Sequence, residues 1–230
     1  MGFPSAGAEE VYFNLKLFKE ENSSLPVFVN IGKNRITENA NASQDYIQLL
    51  QRFYSIAEAF VVNISSPNTS GLRELARPEN LRAFLNPILE ARSFLVEKFQ
   101  SEKPVLLKLS PDLEADELKI ILDTCLEKKI DGFVLTNTTS SRSTQKQFPL
   151  EGGVSGKPLQ ELSKKALQIV CTHLGSEKEK KLVVSVGGVM TAEDVFERIE
   201  MGADLVEVYS ALIFEGPQFF RKVAQSLNGK

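Results

Sequence analysis

Six short apolar runs recur along this chain of 230 residues, and each of them ends in a polar residue or a glycine. Their high content of β-branched residues, without strict alternation of apolar and polar positions, is typical of strands buried on both faces of a parallel sheet. Segments with helical spacing of apolar residues separate the runs. The chain therefore alternates strand and helix throughout. The runs cover residues 26–32, 59–65, 104–110, 132–137, 182–188 and 204–210.

Two architectures alternate strands and helices in this way, and both gather the carboxyl ends of their strands on one side. A doubly wound sheet that binds a dinucleotide should have a G-x-G-x-x-G turn directly after its first strand. The first run of this chain continues instead as Gly32-Lys33-Asn34. The pattern therefore favours a TIM-type (β/α)8 barrel, in which the polar strand ends converge on one mouth.

A barrel of this type needs eight strands, and the chain supplies about six βα units. Residues 7–19 have helical spacing and precede the first run. Thr191 and Asp194 form a capping-box pattern, which predicts the start of the helix after the fifth run. We therefore expect one barrel domain over residues 1–230, N-terminally incomplete, with two strands missing ahead of Met1.

The composition argues against several classes of function. With 27 basic and 30 acidic residues the net charge is -3, so no uniformly positive surface exists for nucleic acid. Cys125 and Cys171 are far apart in apolar helical segments, which predicts reduced core thiols and neither a disulfide framework nor a metal site. No apolar run approaches the ~20 residues that cross a bilayer, so we expect a soluble chain. The only histidine, His173, falls late in a helical segment, which argues against a Ser-His-Asp hydrolase.

The last two strand ends carry residues that suit an anion. Gly187 and Gly188 lack a Cβ atom, so a phosphate could approach the backbone closely, and Tyr209 and Ser210 end the neighbouring run. Barrels commonly bind a phosphate at this position. A simpler interpretation is that the two glycines only turn the chain into its next helix. A second glycine cluster, GGVSG, covers residues 152–156.

Other strand ends carry a lysine, amides and hydroxyls. Lys108 lies within an apolar run, where a charge is costly unless it is paired. Such a lysine could stabilise an anionic cofactor or form a Schiff base, or its side chain could snorkel to the rim. Asn63 is followed by ISSPN, and a further polar strand end reads TNTT at residues 136–139. Uncharged donors and acceptors of this kind suit a flat polar heterocycle.

Seven strings, in this order, closely resemble the dihydroorotate dehydrogenase family, and the resemblance extends over nearly the whole chain. The strings are VNIGKN (29–34), VNISSPNTSGLR (62–73), LLKLSPDL (106–113), LTNTT (135–139), GGVSGKPL (152–159), VGGV (186–189) and VYSALIFEGP (208–217).

The resemblance implies that the chain oxidises dihydroorotate to orotate in pyrimidine biosynthesis. Ser66 would be the base that removes a proton from C5 of dihydroorotate, while a hydride leaves C6 for N5 of a flavin. The residues that would bind the substrate are Gly2, Phe3, Asn63, Asn68, Asn137 and Thr138.

The cofactor implied by the resemblance is flavin mononucleotide (FMN). Lys108 would face the N1 and O2 edge of the flavin ring and stabilise the reduced anion, which gives a reason for a lysine in an apolar strand. The residues implied for the ring and ribityl chain are Asn30, Asn63 and Thr136, and those implied for the phosphate end are Gly156, Gly187, Gly188, Tyr209 and Ser210.

Serine rather than cysteine at position 66 resembles the class 2 enzymes of the family. These pass electrons to a quinone and attach to the cytoplasmic side of a membrane through an N-terminal extension, which we expect to be absent from this chain. The isolated chain is expected to have weak or no activity, because the two missing strands complete both sites. Three alternatives stay open. The chain could be another FMN-dependent barrel oxidoreductase acting on a pyrimidine-like substrate, a lyase in which Lys108 forms a Schiff base, or a catalytically inactive truncated fragment or scaffold.

Overall fold

A computed structural model of the chain describes residues 5–22, 24–69, 71–142 and 151–228. Strands and helices alternate through these ranges, as the sequence pattern predicts. The described residues form six strands, which are β1 (Phe28–Ile31), β2 (Ala59–Asn63), β3 (Val105–Leu109), β4 (Gly132–Leu135), β5 (Leu182–Val186) and β6 (Leu205–Glu207). They also form eight α-helices, which are α1 (Ala8–Glu21), α2 (Ala42–Phe53), α3 (Pro78–Phe99), α4 (Ala115–Glu127), α5 (Gln160–Leu174), α6 (Ala192–Glu200), α7 (Ser210–Glu215) and α8 (Gln218–Asn228).

The six strands form one parallel sheet in chain order from β1 to β6. Each predicted run contains one strand, but the strands are shorter than the runs. The last run, 204–210, differs most, because the strand covers only Leu205–Glu207 and Ser210 already begins α7. Within the described part of the chain, β1 and β6 are the two edges of the sheet.

Side chains alternate between the two faces of the sheet. In β3, Val105, Leu107 and Leu109 belong to the main core with the helices, whereas Leu106 packs in a smaller cluster on the opposite face. Lys108 shares the face of Leu106, because successive strand residues point to opposite sides. The buried residues of the smaller cluster are Ala59, Val61, Leu106, Val134 and Val184. This smaller cluster occupies the interior of the barrel.

An ion pair between β3 and β6 shows how strongly the sheet curls. In a flat sheet, three strand spacings of about 4.8 Å would separate these two strands by roughly 14 Å. The Nζ atom of Lys108 nevertheless lies 3.3 Å from Oε2 of Glu207. The sheet therefore wraps around its inner face, and the described residues form six strands of a (β/α) barrel.

Two predictions about helix ends are confirmed. Thr191 Oγ1 accepts a hydrogen bond from the Asp194 N–H at 3.2 Å, and Asp194 Oδ2 accepts one from the Thr191 N–H at 3.0 Å. This capping box begins α6. His173 lies in the last turn of α5, with its Nε2 atom 2.7 Å from Oδ1 of Asp123.

Both cysteines are free thiols, but only one lies fully in the core. Cys125 is buried within the main core, and burial raises its pKa to about 12. Cys171 is half-buried, so its assignment to the core interior is wrong. It lies at the margin of the core, where its Sγ contacts the Gly202 carbonyl oxygen at 3.7 Å.

No helix among the described residues has both the length and the apolar character that a membrane span requires. The same residues contain no group of three or more His, Cys, Asp or Glu side chains placed to hold a metal ion.

Candidate active site

A cleft of about 600 Å³ opens at the carboxyl ends of the strands. Every predicted site residue within the described ranges lines this cleft. They are Asn30, Asn63, Ser66, Asn68, Lys108, Thr136, Asn137, Thr138, Gly156, Gly187, Gly188, Tyr209 and Ser210. Gly2 and Phe3 lie outside the described residues. The predicted convergence of the strand ends is confirmed, whereas the role of each residue stays a prediction.

Asn63 and Lys108 lie side by side in the wall of the cleft, because they are register partners in β2 and β3. The backbone carbonyl of Asn63 accepts a hydrogen bond from the Tyr46 hydroxyl at 2.9 Å. Burial raises the pKa of Tyr46, so this hydroxyl stays protonated and able to donate. The end of β2 is therefore held in place from the helical side of the sheet.

Hydrogen bonds fix the side chains of Asn63 and Asn137. Oδ1 of Asn63 accepts from Asn137 Nδ2 at 3.2 Å and from Ser65 Oγ at 3.1 Å. Oδ1 of Asn137 accepts from the Thr138 N–H at 2.8 Å. Ser65 is not among the predicted site residues, although it belongs to the ISSPN string. These contacts orient both amides in advance of any ligand.

Ser66 lies in the turn that follows β2, where it is buried except for the part that lines the cleft. The Asn68 N–H donates to Ser66 Oγ at 3.2 Å. A hydroxyl that accepts one hydrogen bond can still donate its own hydrogen and accept at a second lone pair. Ser66 is therefore a positioned hydroxyl that can exchange a proton with a ligand in the cleft.

Arg73 connects three of the loops that follow the strands, and the sequence prediction missed it. Its Nε donates to the carbonyl of Ser65 at 3.2 Å, and its Nη2 donates to the carbonyl of Thr138 at 3.2 Å. Its Nη1 lies 2.9 Å from Oδ2 of Asp112. The only sequence signal is its place in the GLR end of the second string. These contacts hold the loop that contains Ser66 against the loops after β3 and β4.

Asp112 is the acceptor at the centre of this network. It accepts hydrogen bonds from Arg73, from the Thr139 hydroxyl, and from the N–H and hydroxyl of Ser140 at 2.8 and 2.7 Å. Burial alone would raise the pKa of Asp112, but the hydrogen bonds from Thr139, Ser140 and Arg73 outweigh burial and hold the pKa below its ordinary value of 3.8. The network therefore contains a charged carboxylate at neutral pH.

The turn after β5 requires both of its glycines. Gly187 has a φ angle of 114° and Gly188 one of 72°, a region that side chains rarely adopt. A Cβ atom on Gly188 would lie 2.4 Å from Cα of Gln160, and one on Gly187 would lie 2.8 Å from Cδ2 of Leu159. The glycines are needed to turn the chain, as the simpler interpretation predicts, and the turn that they form lines the cleft.

The second glycine cluster packs against two other strand ends. A Cβ atom on Gly153 would lie 1.8 Å from Oγ1 of Thr138, so the backbone of this loop touches the end of β4 directly. Ser210 Oγ donates to Ser155 Oγ at 3.2 Å. Gly153 and Ser155 therefore join Gly156 in the wall of the cleft, although neither is a predicted site residue.

Glu207 lines the cleft and is the partner of Lys108, and the sequence prediction missed it too. Glu207 lies two positions before Tyr209 in the last predicted run. Residues two apart in a strand point to the same face, so this spacing could have identified Glu207. The side chain of Lys108 is 17% exposed and points into the cleft rather than out to the rim. The snorkelling interpretation of Lys108 is therefore wrong, because a carboxylate inside the barrel pairs with the ammonium.

Sequence comparison assigns the chain to a family. The family profile described as dihydroorotate dehydrogenase matches residues 1–230. The chain is 37% identical over 229 residues to "Dihydroorotate dehydrogenase (quinone)" of Halorhodospira halophila, covering 98% of this chain and 65% of the relative. A protein of the same name from Christiangramia forsetii is 38% identical over 231 residues, covering 99% of this chain and 64% of the relative.

Comparison of structures gives the same result. The crystal structure of dihydroorotate dehydrogenase from Eimeria tenella in complex with ferulenol matches with a TM-score of 0.87 and 31% sequence identity, covering 98% of this chain and 65% of that chain. The chain thus spans a little under two thirds of the length of these relatives. Sequence, parallel sheet and barrel curvature agree, and the chain belongs to the dihydroorotate dehydrogenase family.

Proposed function

We propose that this chain carries the catalytic site of a quinone-dependent dihydroorotate dehydrogenase, which oxidises dihydroorotate to orotate in pyrimidine biosynthesis. The observation that carries the proposal is the convergence of Ser66, Asn63, Asn137 and Lys108 on one cleft. Loss of a proton and a hydride from a flat polar ring needs a base, groups that orient the ring, and a cation near the incoming negative charge. The cleft offers one residue type for each of these tasks.

The oriented amides would bind the substrate. Dihydroorotate presents ring carbonyls, ring N–H groups and a carboxylate, and amides can donate to or accept from the first two. Asn63, whose Oδ1 already accepts internal hydrogen bonds, would turn its N–H groups to the ligand. Asn137, whose Nδ2 donates to Asn63 and Ser65, would exchange one of these hydrogen bonds for one to the ligand. Asn68 and the hydroxyl of Thr138 would complete the contacts. Because these amides are fixed beforehand, little ordering is required on binding.

Ser66 would act as the base at C5 of the substrate. A serine hydroxyl is a weak base at neutral pH, so it must pass the proton onward as it accepts one. The N–H of Asn68, 3.2 Å from Ser66 Oγ, would stabilise negative charge that develops on this oxygen. The Arg73 and Asp112 contacts would keep the Ser66 loop in place during the transfer.

The cleft also suits FMN. Its volume of about 600 Å³ is that of a cofactor site, and Lys108 and the glycine turn form parts of its wall. Bound flavin would supply the acceptor for the hydride. Lys108 would stabilise the negative charge that accompanies the hydride, and Asn30, Asn63 and Thr136 would hold the ring and ribityl chain. The residues that would hold the phosphate are Gly156, Gly187, Gly188, Tyr209 and Ser210.

Residues 1–230 are proposed to form one flavin-binding barrel domain. The edges at β1 and β6 leave room for two more strands, which would close an eight-stranded barrel and complete both binding sites. Without closure, turnover is expected to be slow or absent. Electrons would pass to a quinone, as the names of the relatives suggest. By resemblance to the class 2 enzymes, the complete protein would associate with the cytoplasmic side of a membrane.

Two of the alternatives make different predictions at the same residues. A lyase that forms a Schiff base at Lys108 needs that amine free to attack a carbonyl, whereas Lys108 Nζ lies 3.3 Å from the Glu207 carboxylate. Borohydride with a carbonyl substrate would label Lys108 only in the lyase. A flavin enzyme for another pyrimidine would share Lys108 and the glycine turn. Such enzymes resemble this one but commonly use cysteine as acid or base, and Ser66 argues against them.

The decisive experiment completes the barrel. The chain is joined to the part of the H. halophila relative that lies outside the matched region, and dihydroorotate-dependent quinone reduction is measured. We expect orotate and reduced quinone in equal amounts from the joined protein, and slow or no turnover from residues 1–230 alone. A joined protein that binds flavin but leaves dihydroorotate unchanged contradicts the proposed substrate. A joined protein that shows no activity with any electron acceptor supports the alternative that the chain is a catalytically inactive fragment.

A further inference from the structure

Arg198 lies fully buried beneath the turn formed by Gly187 and Gly188. Its Nη2 donates to the Gly187 carbonyl at 3.0 Å and to Ser163 Oγ at 2.9 Å, and its Nη1 donates to Ser185 Oγ at 3.0 Å. Gln160 contributes its backbone carbonyl at 3.3 Å. A guanidinium from α6 thus supports the turn from the side opposite to the cleft.

The hydrogen-bond partners of Arg198 are all neutral oxygens. The nearby carboxylate of Asp194 accepts instead from Gln160 Nε2 at 2.5 Å and from the N–H groups of Met190 and Thr191. Among the described residues, Nε of Arg198 is a buried side-chain nitrogen with no hydrogen-bond partner. A buried cation without a directly bonded carboxylate is costly, and an anion bound nearby offsets that cost.

The geometry of the peptide bond directs one backbone N–H into the cleft. The Gly187 carbonyl accepts from Arg198 and from Ser163 Oγ at 2.6 Å, both on the buried side. In a planar trans peptide the C=O and the following N–H point in opposite directions. The N–H of Gly188 therefore points away from Arg198 and toward the cleft that Gly188 lines.

We propose that Arg198 is a positioning residue for a phosphate monoester, the terminal group of FMN. It fixes the Gly187 carbonyl on the buried side, so that the Gly188 N–H faces the phosphate, and it adds a positive charge behind the turn. The inference rests on the proposed function, because that function supplies the phosphorylated flavin. Arg198 itself touches neither the ligand nor the reacting atoms.

The test compares two flavins that differ only in the phosphate. Affinities for FMN and for riboflavin are measured by quenching of flavin fluorescence with the barrel-completed protein and with its Arg198→Met and Arg198→Lys variants. In Arg198→Met we expect FMN affinity to fall roughly 10- to 100-fold, the range for loss of one hydrogen bond to a charged group, here the bond from the Gly188 N–H to the phosphate. Riboflavin affinity should be nearly unchanged. Arg198→Lys keeps the positive charge but not the planar guanidinium with its several N–H donors, and we expect a loss of FMN affinity of about threefold to tenfold.

Arg92 provides the matched control, since it is a second buried arginine. Its Nε donates to the Lys103 carbonyl at 3.0 Å and its Nη2 pairs with Glu102 and Asp131, at the amino ends of β3 and β4. Arg92→Met should leave the preference for FMN over riboflavin as in the wild type.

Three outcomes overturn the proposal in different ways. An unchanged FMN preference in Arg198→Met, or an equal loss of both flavins, makes Arg198 a purely structural residue. If Arg198→Met does not fold, Arg198→Lys decides, and an unchanged preference in that variant overturns the inference. A barrel-completed wild-type protein that binds neither flavin contradicts the proposed function itself, and the inference with it.

Discussion

The ammonium of Lys108 in β3 lies 3.3 Å from the carboxylate of Glu207 in β6, inside the curled sheet and within the cleft. An anionic ligand bound beside Lys108 would have to share the ammonium with Glu207, because one positive charge would then face two anions.

Replacing Glu207 should therefore make a bound flavin easier to reduce. In Glu207→Gln we expect the reduction potential of the flavin to rise by about 10–20 mV, from ~0.5–1 kcal/mol for a partly exposed pair and about 30 mV per 1.4 kcal/mol. Lys108→Met should lower the potential. Glu215→Gln is the control, because Glu215 pairs with Lys222 at 2.5 Å and neither residue lines the cleft. A potential in Glu207→Gln equal to that of the control would show that Glu207 does not tune Lys108.

The Asp112 network should contribute a pH-dependent part of the stability. The folded-state pKa of Asp112 lies below its ordinary value of 3.8. The stabilisation by this carboxylate is therefore complete at pH values above 3.8 and is lost as the pH falls through the lower folded-state pKa. At neutral pH, Asp112→Asn should reduce the free energy of unfolding by roughly 1–3 kcal/mol, since it removes a charged acceptor of several hydrogen bonds.

Urea unfolding of the wild type and Asp112→Asn between neutral and acidic pH measures this contribution. The two stabilities should converge as the pH falls below about 4. Asp116→Asn serves as the comparison, because the Asp116 side chain is 92% exposed at the start of α4. If the difference in unfolding free energy between the wild type and Asp112→Asn stays constant down to acidic pH, the carboxylate charge does not hold the loops together.

Gly188→Ala should be more damaging than an alanine at another glycine that also has a positive φ angle. Gly188 has a φ of 72° and its Cβ would meet Cα of Gln160 at 2.4 Å, whereas Gly216 has a φ of 64° and open space around its Cβ. Gly216→Ala should cost about 1–3 kcal/mol, because a φ of 64° with a ψ of -162° is a backbone conformation nearly restricted to glycine. Gly188→Ala should cost more, because backbone atoms also have to move. Equal midpoints of urea unfolding for the two variants would contradict the steric argument.

The sequence predicts most of this architecture, because strand burial and polar strand ends are local properties of the chain. The runs ending at Asn63, Lys108 and Gly188 reach the same cleft, since parallel strands place their carboxyl ends together. The prediction is wrong for the last strand, which is shorter than its run. The sequence pattern places Ser210 in this strand, but Ser210 begins α7 in the structure.

The contacts that fix the site depend on distances in three dimensions, and a single sequence does not contain them. Glu207 is 99 positions from Lys108, and Arg73 is 65 positions from Thr138. Arg198 is a charged residue of an amphipathic helix, and sequence patterning predicts that its side chain is exposed to solvent. In the structure this side chain is buried. These residues acquire their roles only when the sheet curls.

Ser66 can be tested as the base separately from binding. In Ser66→Ala of the barrel-completed protein, flavin reduction by dihydroorotate should slow by about 10²- to 10⁴-fold, the usual effect of removing a general base, while orotate affinity changes little. Ser66→Cys should retain part of the rate, because a thiolate is also a base. Ser93→Ala, on the exposed side of α3, is the control. A Ser66→Ala variant that reduces its flavin at the wild-type rate would remove Ser66 from this role.

The most direct test of the account mixes the flavin-loaded, barrel-completed protein with substrate in the absence of oxygen and follows the visible absorbance of the flavin. Dihydroorotate should bleach the flavin rapidly, whereas dihydrouracil, which lacks the carboxylate, should bleach it slowly or not at all. Rapid bleaching by dihydrouracil, or a flavin that stays oxidised with dihydroorotate, would contradict the assignment of this cleft to dihydroorotate oxidation.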